Sequence, residues 1–94
     1  VAKNRAKRKN LSFSITMKHL EKLWQEQAGA CALSGIAFST ERNSPYVASL
    51  DRADNKKGYV RGNVRFILTA LNKALNEYGL GIYTEIAEAV LKNQ

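Results

Sequence analysis

Ser49-Leu50-Asp51-Arg52-Ala53-Asp54-Asn55-Lys56-Lys57-Gly58-Tyr59-Val60-Arg61-Gly62-Asn63-Val64-Arg65 is the stretch whose reading decides the fold. A short apolar run, 46–50, reads as a strand that delivers Asp51 and Arg52 at its end. A basic loop containing Gly58 follows, and a short strand through Tyr59 and Val60 is expected to pair back onto the first. Gly62 and Asn63 then open an amphipathic segment. Val64, Ile67, Leu68, Leu71, Leu75 and Tyr78 recur at helical spacing, which predicts a helix over 64–78 with Asn63 as its N-cap. Its other side carries Arg65, Thr69, Asn72 and Asn76. Asn63 and Asn72 would then stand about two and a half turns apart, with Asn72 projecting from mid-helix.

Outward from this stretch the chain reads as α+β. Residues 11–16 alternate apolar and polar and predict a short extended segment. Thr16 is the expected N-cap of a helix from Met17 to about Gln27, with Leu20, Leu23 and Trp24 on one face and His19 at the surface or in the cap. Gly29 ends that helix, and Ser34-Gly35 between apolar runs predicts a tight turn. Residues 39–45, with the only proline, form a loop. On the far side Gly79 and Gly81 break the helix, and a last one over 84–92 is expected to bury Ile86, Ala87, Val90 and Leu91. The expected architecture is a small antiparallel hairpin crossed by a helix, with further helices on its N- and C-terminal sides. Residues 1–10 form a basic arm or helix, and 11–94 a single domain.

Charge points to a polyanion. The net charge is +7, and the first ten residues hold Lys3, Arg5, Lys7, Arg8 and Lys9 with no acid. A basic arm on a nearly balanced body suits nucleic acid, bound largely through counterion release. The arm lacks the apolar face of an interfacial helix, which disfavours a membrane surface. No apolar run approaches the roughly 20 residues that cross a bilayer, and no signal-peptide pattern opens the chain, so it reads as soluble, intracellular and cytoplasmic. The start at Val1 rather than methionine fits a chain trimmed or cut from something longer. Cys31 is the single cysteine and His19 the single histidine, so an intramolecular disulfide and a paired-cysteine structural zinc site are both excluded.

Phosphodiester cleavage needs an attacking water, charge relief on phosphorus and stabilisation of the leaving alkoxide; one hard cation held by a few oxygens supplies the last two. Asp51 at a strand end and Asn72 on a helix offer an anionic and a neutral oxygen. Lys56, Lys57, Arg61, Arg65 and Lys73 are placed to hold a nucleic-acid backbone. The same residues have a plainer reading: an Asp-Arg ion pair, an Asn cap and a solvent-facing Asn.

The segment 49–72 resembles the HNH nucleases of the His-Me finger (ββα-metal) superfamily. The likeness is strongest to small phage-type members with a Ser-Leu-Asp-Arg-x-Asp…Gly-Tyr…Gly-Asn-Val pattern, and with a Cys-x-Leu-Ser/Thr-Gly-Ile segment upstream that Cys31 to Ile36 matches. It covers roughly residues 5–77. This resemblance implies a metal-dependent DNA endonuclease using Mg²⁺, with Mn²⁺ as a substitute. It implies metal ligands at Asp51 and Asn72 and a loop brace at Asn63. A homodimer, or membership of a larger phage or mobile-element protein, is the implied setting.

Arg52 stands where most of that superfamily has its catalytic histidine. Arginine stays protonated near neutral pH and cannot take a proton from water. Another group would act as base (Asp54, Tyr59 or His19), or attack would proceed without a dedicated base while Arg52 stabilises the phosphorane. Alternatively Asp54 is a further ligand, or the domain is a degenerate module that binds DNA without cutting it. An RNA-binding domain fits less well, because Phe13, Tyr46, Tyr59 and Phe66 are scattered rather than paired on strands.

Overall fold

The computed structural model describes residues 14–94. The arm residues Lys3, Arg5, Lys7, Arg8 and Lys9, and the beginning of the extended segment, lie outside the described residues. The elements in order are helix α1 (Met17–Gln27), strands β1 (Ala48–Arg52) and β2 (Val64–Leu68), and helices α2 (Thr69–Leu75) and α3 (Gly79–Lys92).

Helix α1 begins as its sequence predicts. The Thr16 hydroxyl accepts the His19 amide (3.2 Å) while the Thr16 amide donates to His19 Nδ1 (3.4 Å), a reciprocal capping box. Ala28 and Gly29 end it in the left-handed region, at φ 55° and 68°. From this helix Trp24 stacks on Phe38, with centroids 5.3 Å apart, and meets Phe66 edge-on at 5.5 Å. The tight turn at Ser34-Gly35 is present: Ala30 and Ala37 form a bridge, and the Cys31 amide donates to the Ile36 carbonyl.

The segment after Asn63 corrects the expected long helix. Residues 64–68 form a strand, antiparallel to β1, with Asp51 opposite Arg65 and Ser49 opposite Ile67. Val64, Phe66 and Ile67 are β-branched or aromatic and suit a pleated, half-buried surface. Helix follows only from Thr69, whose amide donates to the Val47 carbonyl (2.9 Å), as the Ala70 amide does to that of Pro45 (3.0 Å). Asn63 is therefore not a helix cap, and Arg65 projects from a strand rather than a helical stripe. Asn72 does stand in the middle of a helix, the shorter α2.

Tyr59 and Val60 do not pair back onto β1. Residues 53–63 curl, and the Tyr59 carbonyl instead accepts the Ser14 amide (3.0 Å). The open edge of β2 is covered by a side chain. Gln27 Nε2 donates to the Phe66 carbonyl and Gln27 Oε1 accepts the Phe66 amide, both at 2.9 Å, and with the Ala32 amide on the same carbonyl (3.0 Å) the glutamine stands in for a third strand.

Among the described residues Cys31, Ile67, Leu68 and Leu75 form a small buried cluster, flanked by Leu33, Phe38 and Leu71. Helix α3 departs from its expected role. It starts at Gly79 (φ 81°), takes Gly81 into its body, and leaves Ile86 58%, Val90 53% and Leu91 68% exposed. Its main packing partner is α2. A helix of 14 residues runs about 21 Å and one of seven only about 10 Å, so the far half of α3 outruns its support.

Ile67 is fully buried. Ile67→Ala should lower unfolding free energy in urea by about 2–5 kcal/mol, against less than about 1 kcal/mol for Ile86→Ala. Equal losses would show that α3 is packed as tightly as the hairpin.

Candidate functional site

The hairpin, its loop and α2 enclose an open cleft of about 890 Å³. Of the residues singled out in the sequence, Asp51, Arg52, Asp54, Tyr59, Arg65, Asn72 and Lys73 line it. Ser49, Asn55, Thr69 and Asn76 join them, positions to which the sequence assigns no site role. Ser49 had one available signal: two residues before Asp51 on a strand, it must share that residue's face.

Cross-strand and alternating positions put Ser49, Asp51, Arg65 and Ile67 on one face of the hairpin. There Asp51 Oδ2 accepts Arg65 Nε at 2.9 Å, in a pair whose side chains are 17% and 25% exposed. It is the only ion pair among the described residues. Asn72 Nδ2 donates to Ser49 Oγ at 2.7 Å, tying the middle of α2 to β1. Ser49 and Asp51 are two residues apart on the strand, so Asn72 is tied to the face that carries the carboxylate. Among the described residues Asp51 Oδ1 and Asn72 Oδ1 make no hydrogen bond.

Asn63 does not line the cleft; it lies beneath the loop, 6% exposed. Its Oδ1 accepts the Asp54 amide (2.9 Å), and its Nδ2 donates to the carbonyls of Asp54 (3.0 Å) and Gly58 (2.9 Å). Its own carbonyl accepts the Ala53 amide at 2.8 Å. The neighbouring Gly62, at φ 90°, takes a left-handed turn that a side chain would strain. Asn63 is a brace by geometry.

Arg52 is also tied to the loop. Its Nη1 donates to the carbonyls of Asn55 (2.8 Å) and Lys57 (3.1 Å), and its guanidinium lies 5.2 Å from the centre of the Tyr59 ring. Its charge is held at a fixed place in the cleft, with Nε and Nη2 left for a ligand. Asp54 Oδ1 accepts the Lys56 amide (2.9 Å), which holds that carboxylate in the turn.

Other predicted contacts are dispersed. Lys56 and Lys57 are exposed on the loop and do not line the cleft. Arg61 sits in a separate depression of about 240 Å³, with His19, Lys22 and Glu26. His19 is thereby placed away from the cleft, with Nδ1 occupied in the α1 cap, and is not a base for this site. Cys31 is buried in the core. Burial acts most strongly on its thiol and upward, but the Ser34 hydroxyl and the amides of Ser34, Leu68 and Leu33 outweigh it and leave the thiol below its ordinary pKa.

Among the described residues no three His, Cys, Asp or Glu side chains come together. What the cleft offers is the Asp51 carboxylate and the Asn72 amide on its wall, with Asp54 also lining it. That donor set, without His or Cys, does not suit zinc, whose sites are built chiefly on those two residues. Its donors are oxygens, the type Mg²⁺ takes together with several waters and substrate phosphate. No helix among the described residues is long and apolar enough to cross a membrane. No family model, curated protein or solved structure matches the chain.

Asn63→Ala should cost about 2–4 kcal/mol, because it strands an amide and two carbonyls under the loop. Denaturant unfolding would measure the loss, and exchange of the Asp54 amide should accelerate more than that of the β1 amides. A cost under about 1 kcal/mol would mean that the loop holds itself.

Proposed function

We propose that this chain is a metal-dependent DNA endonuclease of the HNH, ββα-metal kind, hydrolysing phosphodiester bonds. The observation that carries the reading is the tether from Asn72 to Ser49. It holds the helix amide beside the strand that bears Asp51, so that an anionic and a neutral oxygen open on one cleft. Asn63 braces the loop between the strands, the place the resemblance assigns to the middle residue of the motif.

In this reading Asp51 and Asn72 hold Mg²⁺, with Mn²⁺ able to replace it. When bound, the cation relieves charge on the phosphate and stabilises the departing alkoxide. Arg52, fixed by the Asn55 and Lys57 carbonyls, directs its remaining N–H groups and its charge at the phosphorane. Tyr59 and Asp54 also line the cleft and are the remaining candidates to accept a proton from the attacking water. Lys73 and Arg65 at the cleft, Lys56, Lys57 and Arg61 outside it, and the N-terminal arm hold the DNA backbone without reading its sequence.

A second reading is a degenerate module that binds DNA without cutting. Its support is the Asp51–Arg65 pair, a satisfied interaction that needs no metal. Supercoiled-plasmid cleavage separates the two. Nicking in Mg²⁺ or Mn²⁺, abolished by EDTA, should fall by about two orders of magnitude in Asp51→Ala and Asn72→Ala while both still bind DNA. Salt-sensitive binding without cleavage by the unaltered protein would favour the second reading. Cleavage that persists in both variants would remove Asp51 and Asn72 from the chemistry.

A further inference from the structure

Arg65 lies directly across the strand pair from Asp51 and donates Nε to it, in the cleft that the proposed metal would occupy. The Asp51 side chain is only 17% exposed, so its charge is poorly served by water and needs a cation beside it. Arg65 meets that need within the protein itself. The Arg65 side chain is 25% exposed and reaches Asp51 through a single hydrogen bond, from Nε.

Resting on the nuclease reading, we propose that Arg65 is the resident counter-ion of Asp51 and is exchanged for the divalent cation when that ion binds. A carboxylate has lone pairs enough for both partners. A dication on one oxygen would nevertheless stand within about 5 Å of a guanidinium on the other, and the two repel across a half-buried site. Binding of the ion therefore displaces Arg65. The released guanidinium stays at the cleft, where a planar fork suits a phosphate of the scissile strand. Metal affinity is held down in the protein alone, and the displaced arginine becomes available to DNA as the metal enters. Arg65 is in this sense a positioning residue for the metal site.

The test is Mn²⁺ binding to the protein without DNA, read from the electron paramagnetic resonance signal of free Mn²⁺. The unaltered chain, Arg65→Gln and Asp51→Asn are compared. Arg65→Gln should bind Mn²⁺ about tenfold to a hundredfold more tightly than the unaltered chain, the range spanned by a hydrogen bond to a charged group. Asp51→Asn should bind it least. Unchanged or weaker binding in Arg65→Gln, with binding still lost in Asp51→Asn, would overturn the exchange and leave the metal site standing. No retention by any of the three would overturn both. A second readout needs no variant: the Arg65 Nε–H resonance of the ¹⁵N-labelled chain should shift and exchange faster with water on Mg²⁺ saturation. An Nε–H that stays put while Asp51 resonances shift would equally overturn the exchange.

Discussion

Everything at the cleft depends on one buried amide. The strands of the hairpin are five residues each, and the eleven residues between them, 53–63, are too many for a single two-residue turn. Asn63 closes them from beneath, with three side-chain hydrogen bonds to the backbone of Asp54 and Gly58 and one from Ala53 to its own carbonyl. A buried amide so fully engaged is costly to leave unpaired, which makes the loop conformation all-or-none. Once the loop is fixed, Arg52 finds the carbonyls of Asn55 and Lys57, and Asp51 emerges opposite Arg65.

Around this brace the protein economises on core. The buried cluster is small, and side-chain hydrogen bonds do work that a larger protein would leave to sheet and packing. Gln27 satisfies the Phe66 amide and carbonyl and so joins α1 to β2 across 39 residues of sequence. Trp24 adds its ring between Phe38 and Phe66. Ser49 and Asn72 fasten α2 to β1. Helix α3 lies largely outside this web, with its apolar residues exposed.

The parts written locally were the parts the sequence made legible. A threonine cap with histidine three residues on, a Ser-Gly turn and a strand ending on Asp51-Arg52 each depend on neighbours within a few positions. The run from Val64 reads as a helix because positions 64, 67, 68 and 71 satisfy a helical period equally well as a strand passing into a helix. What selects the strand is its register with Ala48 to Arg52, a long-range fact. For the same reason the Asp51–Arg65 pair, separated by 14 residues, lay hidden between two residues that had each been singled out. The burial expected along α3 failed because amphipathic spacing marks a face without saying whether anything meets it.

The length of the hairpin loop also bears on how the protein folds. A hairpin with a two-residue turn can zip outward from its tip, each pairing bringing the next within reach. Here the tip is a wide arc, and its closure entropy must be met before the first ladder bond forms. Helix α1, with its own cap, can form early. The hairpin instead draws on Asn63 to hold the loop and on Gln27 to hold the edge of β2. The cleft thus rests on pairings more distant in sequence than those within helix α1, and its residues raise the contact order of the fold.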